Sequence, residues 1–275
     1  LTSSERTILI TAIVLAVIFA ARWVERLRPI GPNMPHPEVM SDWRAVFINM
    51  LIYWPVSFLT APCAAVIIAS LGAGLIPVPT TGWYYIPAVV AFILIGDLYR
   101  YGIHRLQHAV PFLWSMHSFH HSANALTLVT GARHHWMEKA IMDAFFPLFP
   151  ILFSVPADMA TIIAVVYFVP DGCAHLNVRF SMGRAVTWIN SPQWHRIHHS
   201  MQPEHCNKNF ASLLPLWDLV FGTAYIPQAD EYPATGLMPR ESVGVFDSIV
   251  WPFRHHLRRP FSVLQPVRGQ GRPAE

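Results

Sequence analysis

From Ala45 to Gly96 the chain runs for 52 residues without an Asp, Glu, Lys, Arg or His. A helix needs about 20 apolar residues to cross the ~30 Å hydrocarbon layer of a bilayer, so this run has room for two crossings. Its middle breaks the pattern: Leu71-Gly-Ala-Gly-Leu-Ile-Pro-Val-Pro-Thr-Thr-Gly82 gathers residues that turn a chain, and Trp83, Tyr84 and Tyr85 follow as rings of the kind that settle at a membrane interface. The run therefore predicts a hairpin of two membrane helices in preference to the core hairpin of a soluble domain. Composition points the same way, because charged residues make up 13% of the chain where a soluble domain carries about 25%. A formal charge of +3, scattered along the sequence, argues against nucleic acid as a partner.

Three other stretches complete the expected organisation. Thr7 to Ala21 carries no charge, and Arg22, Arg26 and Arg28 mark its end. The length would also fit a signal peptide, but the stretch that follows is basic and lacks a small-x-small cleavage site, which favours an anchor helix. Ala140 to Pro170 is apolar but interrupted by Asp143 and by Ser154-Val-Pro-Ala-Asp158, leaving arms short for full spans. A tilted hairpin, a re-entrant pair and two assisted spans all fit it. The expected fold is all-α: a multi-pass membrane bundle with an anchor and hairpin over residues 1–96, and a histidine-rich cytoplasmic cap over 97–225 with a second hairpin at 140–170. A C-terminal cytoplasmic segment follows over 226–275, with a poorly ordered tail from about Phe261. Arg100, Arg105, Arg133, Lys139, Arg179, Arg184, Arg196 and Lys208 lie in the regions after Gly96 and after Pro170, whereas the loop at 72–82 has no basic residue, so the histidines are expected on the cytoplasmic side. With 17 Arg against only Lys139 and Lys208, the basic usage fits a GC-rich bacterial source, and hence a bacterial inner membrane over the endoplasmic reticulum. Cys63, Cys173 and Cys206 form no CxxC, and neither a disulfide framework nor a thiolate metal site is read from them.

Histidine is the unusual count: of 15 in the chain, 12 fall between His104 and His205. They form three boxes. In His104-Arg-Leu-Gln-His108 the pair stands at i and i+4, which on a helix share a face. His117-Ser-Phe-His120-His121 and His195-Arg-Ile-His198-His199 add a ring at i+3. One HxxxH arises often by chance, but eight imidazoles in three boxes would be costly to bury without partners, and metal coordination answers that cost. One zinc takes three or four protein ligands, so eight rings imply two ions. Imidazole suits iron, zinc, copper and nickel alike, and the boxes do not choose among them.

The pattern HxxxH, HxxHH, HxxHH resembles the fatty acid hydroxylase and sterol desaturase superfamily of membrane di-iron enzymes. The likeness continues in Asp97-Leu-Tyr-Arg-Tyr-Gly-Ile-His104, Pro111-Phe-Leu-Trp-Ser-Met-His117, Arg133-His-His135-Trp-Met-Glu138, His175-Leu-Asn177, Ser191-Pro-Gln-Trp-His195 and Trp217-Asp-Leu-Val-Phe-Gly-Thr223, in order over roughly 97–223. It implies iron ligands at His104, His108, His117, His120, His121, His195, His198 and His199, with His135 and His175 as additions that raise the set to ten. Where some relatives place a histidine four residues before the position of His175, this chain has Asp171, a carboxylate able to ligate or to orient a ligand. His134 and His205 are expected beside the site or on the surface, and His36, His255 and His256 as ordinary polar residues. Asp97, two helical turns before His104, is a candidate acceptor for a ligand ring, with Glu138, Asn177, Asn209 and Asp218 as weaker ones; a helix-capping or interfacial role fits each of these as well.

The resemblance further implies two iron ions, replaceable by a metal such as zinc in purified material, dioxygen as co-substrate and a lipid whose C–H bond is hydroxylated or desaturated. Trp114, Phe119, Trp136 and Trp194 are candidates to line an acyl slot, although core packing fits each of them better. No GxGxxG, CxxCH or ferredoxin-type cysteine run is present, so electrons are expected from a separate ferredoxin or cytochrome with its reductase. Two other classes compete. A histidine-rich membrane metal transporter would want polar residues within the spans, and the run from 45 to 96 has no ionisable Asp, Glu, Lys, Arg or His. A zinc-dependent membrane hydrolase would want a carboxylate beside the boxes and would turn over without oxygen.

Overall fold

The charge-free run folds as two long helices on either side of its Gly/Pro break. In a computed structural model that describes residues 3–30, 36–72, 74–79, 81–145, 151–155, 157–237, 243–244 and 246–258, the helices α2 (His36–Leu71) and α3 (Tyr85–Ala109) flank the Gly/Pro turn. The tail from Phe261, the centre of the second hairpin at 146–150 and the side chains of His36, His255 and His256 lie outside the described residues. Among the described residues two helices are long and apolar enough to cross a membrane, Val39–Leu71 and Tyr85–Ala109. No residue in the most apolar 18-residue stretch of the first is buried by the rest of the protein. An apolar helix in a soluble core would be covered; this one presents Leu51, Trp54, Phe58 and Leu59 outward, which suits lipid. Pro55 and Pro62 sit inside α2, a placement more readily tolerated in membrane helices than in soluble ones.

The anchor helix expected around Thr7 to Ala21 falls within α1 (Ser3–Leu27). Its buried Glu25 accepts the backbone N–H groups of Leu128 and Asn177 at 3.2 and 3.1 Å, so the end of α1 braces the histidine-rich region. The N-terminal part of α2 does the same from another side. Asp42 pairs with the buried Arg133 at 3.2 Å and accepts from Thr130 at 2.8 Å, while Asn49 caps α5 (Trp136–Phe145) by accepting the N–H of Trp136 at 2.7 Å. Deeper along the pair, the Tyr53 hydroxyl bonds Asp143, the one charge that interrupts this apolar arm.

α3 passes unbroken through residues 96 and 97 and carries the first box on its last turns. It packs on α6 (Ala157–Ala174) at Gly96, where an added Cβ would stand 2.7 Å from the hydroxyl oxygen of Tyr167; glycine is what lets the two helices approach. Val110 turns the chain into α4 (Pro111–His121), with Pro111 at the first helical position. Two residues each of β1 (Ile76–Pro77) and β2 (Phe153–Ser154) pair in parallel and tie the two hairpin turns together, the only sheet among the described residues. The rest is helix and loop: α7 (Pro192–His198), α8 (Leu216–Val220) and α9 (Asp247–Arg258), the last packed on α4 with Trp251 buried against Phe119.

Candidate metal centre

Three short helical segments aim their histidines at one buried volume. α3 and α4 meet at the Val110 corner, and the pairs it brings together, His104 with His117 and His108 with His121, are both 13 residues apart with Nε2 atoms 3.1 Å from one another. The third box arrives on α7, whose N-terminus is capped by Ser191 accepting the Trp194 N–H at 3.2 Å and started by Pro192. Gln193 donates to the carbonyls of Gln228 and Ala229, and Arg196 to that of Pro233 at 2.8 Å, so the later loop clamps α7 from outside.

The rings sort into two groups. His104, His108, His117, His121 and His198 bring ligand atoms all within 4.8 Å of one another, and so do His120, His175, His195 and His199. Helix geometry explains the sorting: residues i and i+4 lie nearly in line on one face, whereas i+3 is turned aside. In the second box the i and i+4 rings enter the first group and His120 enters the other; in the third box His195 and His199 enter the second group and His198 crosses to the first. Each three-ring box thus feeds both groups.

Proton positions show why these clusters call for cations. The Nδ1 of His104 faces the Phe210 carbonyl at 2.9 Å, that of His198 the Lys208 carbonyl at 2.8 Å, that of His175 the Asp171 carbonyl at 2.8 Å, and that of His117 the Glu138 carboxylate at 2.9 Å. Carbonyl and carboxylate oxygens only accept, so these Nδ1 atoms carry the proton, and a neutral ring so held has its lone pair on Nε2. The Nε2 atoms of His104 and His117 face each other at 3.1 Å. In the other group Nε2 separations are 2.9 Å for His195 and His175 and 3.1 Å for both His175 and His120 and His199 and His195. Two imidazoles bound at right angles to one ion at about 2.1 Å would stand about 3.0 Å apart. Burial holds His198 neutral, pushed down to about 3, and burial with neighbouring rings drives His120, His121, His195 and His199 well below the usual histidine range. The donor sets fit two metal ions, five histidines for one and four for the other.

The surrounding groups hold the rings in place. Glu138 Oε1 receives His117, His134 at 3.0 Å and Gln107 at 2.8 Å; burial works against its charge, but the His134 and His117 rings outweigh this and keep its carboxyl well below the usual range. His134 stacks on His120, with centroids 4.5 Å apart, beside the site. Gly131 leaves room for His175, since a Cβ there would come within 3.0 Å of its Nδ1. Trp114 lies 4.8 Å from the His108 ring and 5.3 Å from that of His121, while Phe119 and Trp194 are fully buried core residues.

Several expected roles change. His135 joins neither group: buried at the start of α5, its Nε2 turns to the Ile249 carbonyl at 3.2 Å and its Nδ1 accepts from Met137 N–H at 3.2 Å. Asp97 meets no ligand ring. Its carboxylate accepts the backbone N–H groups of Leu213 and Leu214 at 2.9 and 3.0 Å, and α3 is thereby fixed to the segment following Phe210. Asp171 contributes its backbone carbonyl to His175, its side chain facing Arg100 at 3.6 Å. Asp218 works one step further out, accepting from Phe210 and Ala211 N–H, both at 2.8 Å. Asn177 is engaged through its backbone by Glu25, and His205 is buried between Ser200 and Glu231, away from both groups.

Two ring-orienting groups escaped side-chain reasoning altogether, the carbonyls of Lys208 and Phe210. Their segment is bent by Asn207 and Asn209, both at φ 58°, a left-handed conformation that asparagine adopts more readily than most residues. Asn209 then locks the bend by bonding the backbone of Tyr225 in both directions, at 2.7 and 2.9 Å. The Asn-x-Asn spacing was the available signal.

The fatty acid hydroxylase family profile matches residues 89–223. Alkylglycerol monooxygenase of Xenopus tropicalis is 27% identical over 135 residues, 49% of this chain and 30% of that protein. Ornithine lipid hydroxylase OlsE of Rhizobium tropici is 26% identical over 178 residues, 65% of this chain and 54% of that one, and methylsterol monooxygenase erg25A of Aspergillus fumigatus is 25% identical over 150 residues, 52% and 48%. The chain thus spans 30% to 54% of the length of these relatives. No solved structure matches it. All three boxes and His175 fall inside the matched residues, and it is this stretch of the chain that is similar to the fatty acid hydroxylase family.

Proposed function

We propose that this chain is a multi-pass membrane enzyme that uses two histidine-bound iron ions, dioxygen and electrons from a separate donor protein to hydroxylate a C–H bond of a lipid. The observation that carries the reading is the convergence of nine Nε2-bearing rings into two groups, one of five and one of four. The relatives' names favour hydroxylation over desaturation, since they are a monooxygenase acting on alkylglycerols, a hydroxylase of ornithine lipid and a monooxygenase of methylsterols. These three substrate types share an aliphatic body carrying a polar group, and that is the substrate class proposed for this chain.

Bound iron would supply reduction of dioxygen and removal of hydrogen from an unactivated C–H bond. The protein's own part is to fix geometry and keep water away. Phe210, Lys208, Asp171 and Glu138 hold the ligand rings through Nδ1, which sets the tautomer and directs each Nε2 inward. Eight of the nine rings are buried, and His104 is partly so, which limits access by bulk water. The histidine side is assigned to the cytoplasm, where a ferredoxin or cytochrome with its reductase can meet the basic surface.

The test uses full-length protein purified in detergent and loaded with iron, given lipid extract and reductant with and without dioxygen. Mass spectrometry should show a lipid gaining one oxygen atom only when dioxygen is present. Loss of two hydrogens in its place would make the enzyme a desaturase, and turnover without dioxygen would contradict the reading.

A further inference from the structure

The short helix α8 is built inside out for a water-facing surface. Its one charged residue, Asp218, is fully buried and spent on backbone N–H groups, while Leu216, Leu219 and Val220 point outward, Val220 with 61% of its surface exposed. Phe221 and Ile226, which follow α8, are exposed as well, and so is Trp188, at 78%. The chain two residues after Trp188 is tied to the segment leading into α8, the Asn190 N–H bonding the Leu213 carbonyl at 2.8 Å. For a helix facing water, apolar side chains outward and the charge inward reverse the usual arrangement.

The position of α8 along α3 supplies the reason. Trp83 and Tyr84, stacked at 3.7 Å, mark one membrane edge just before α3 begins at Tyr85. At about 1.5 Å per residue, Asp97 lies ~18 Å and Tyr101 ~24 Å beyond that start, within a hydrocarbon layer of ~30 Å. At these levels the C-terminal half of the chain grips α3: Leu213 and Leu214 N–H on Asp97, the Thr223 hydroxyl on that of Tyr101 at 2.8 Å, and the Phe221 ring stacked on Tyr101 at 5.4 Å.

We propose that α8 with Trp188 is an in-plane membrane-contact surface, seated among lipid acyl chains beside α3, and not part of a cap standing clear in water. This rests on the reading of α3 as a membrane span. It follows that the five-histidine group, two of whose rings stand on α3 beyond Asp97, lies at the border of hydrocarbon and headgroups. A lipid C–H bond can reach it from the bilayer plane.

The test places a nitroxide label at single cysteines in full-length protein whose Cys63, Cys173 and Cys206 are replaced by alanine, reconstituted in phosphatidylcholine and phosphatidylglycerol vesicles. Val220→Cys and Trp188→Cys probe the surface, Val90→Cys on α3 is the span reference and Glu204→Cys the water reference. Metal content verifies that each variant is folded. Collision rates are measured with dioxygen, which concentrates in acyl chains, and with a neutral water-soluble nickel chelate. Labels at 220 and 188 should follow 90, favouring dioxygen, with the order reversed at 204. Nickel access at 220 and 188 equal to that at 204, with 90 still lipid-exposed, would overturn the proposal alone. Nickel access at 90 would instead remove the span reading, and the proposal with it. Spin–spin broadening at 220, relieved by dilution with unlabelled protein, would make the occupant a second copy of the chain and also overturn it.

Discussion

The two histidine groups draw on the same helices but are braced differently. In the group of five, His104, His117 and His198 donate Nδ1–H to Phe210, Glu138 and Lys208. In the group of four only His175 has such an acceptor; the Nδ1 atoms of His120, His195 and His199 are buried with no hydrogen-bond partner among the described residues. An outer acceptor fixes a ring's orientation and raises its basicity, and its loss costs 10- to 100-fold in metal affinity in known sites. Under the proposed function, the contrast predicts tighter metal binding in the five-histidine group and a more adjustable site, with fewer protein donors, in the group of four.

The largest expected effect comes from removing ligands. His198→Ala should lose most of the metal and reduce turnover to background while the fold survives in detergent. His199→Ala, across in the other group, should retain the five-histidine metal; elemental analysis of both variants distinguishes two separate sites from one shared cluster. Next comes Glu138→Ala, which strips the acceptor from His117 and should weaken metal binding by about 10- to 100-fold, with Glu138→Gln recovering part of it because the amide oxygen still accepts. In wild type, chelator titration followed by metal analysis should proceed in two stages, the four-histidine group emptying first by about a factor of ten. Simultaneous release would break the comparison. The smallest effect on metal belongs to His135→Ala: full occupancy is expected, with stability lowered by roughly 1–3 kcal/mol as a fully buried ring loses its packing and its bond to the Ile249 carbonyl. Loss of metal in that variant would return His135 to the ligand set.

The boxes were legible because a helix converts i, i+3 and i+4 spacing directly into a shared face, and α3, α4 and α7 preserve it. What spacing alone does not show is the crossing of His120 and His198 into opposite groups, which depends on how α7 meets α4. His135 and His175 are alike in sequence terms. Only the tertiary fold separates them, turning one to a carbonyl of α9 and the other inward beside Gly131. Asp97 was placed on the His104 face by periodicity, yet that face is met by Leu213 and Leu214, 116 and 117 residues away, whose N–H groups claim the carboxylate first. Backbone carbonyls carry no residue signature, so Lys208 and Phe210 left only the trace of two asparagines. The two long apolar helices α2 and α3 are plain from the absence of charge, whereas the outward apolar face of α8 is hidden in sequence by the central Asp218.

The most direct measurement is metal stoichiometry combined with X-ray absorption on the purified full-length protein. Two ions per chain, ligated by imidazole nitrogen, is the predicted result. A folded protein that takes up no more than one ion per chain, or holds its ions without imidazole ligation, would contradict it.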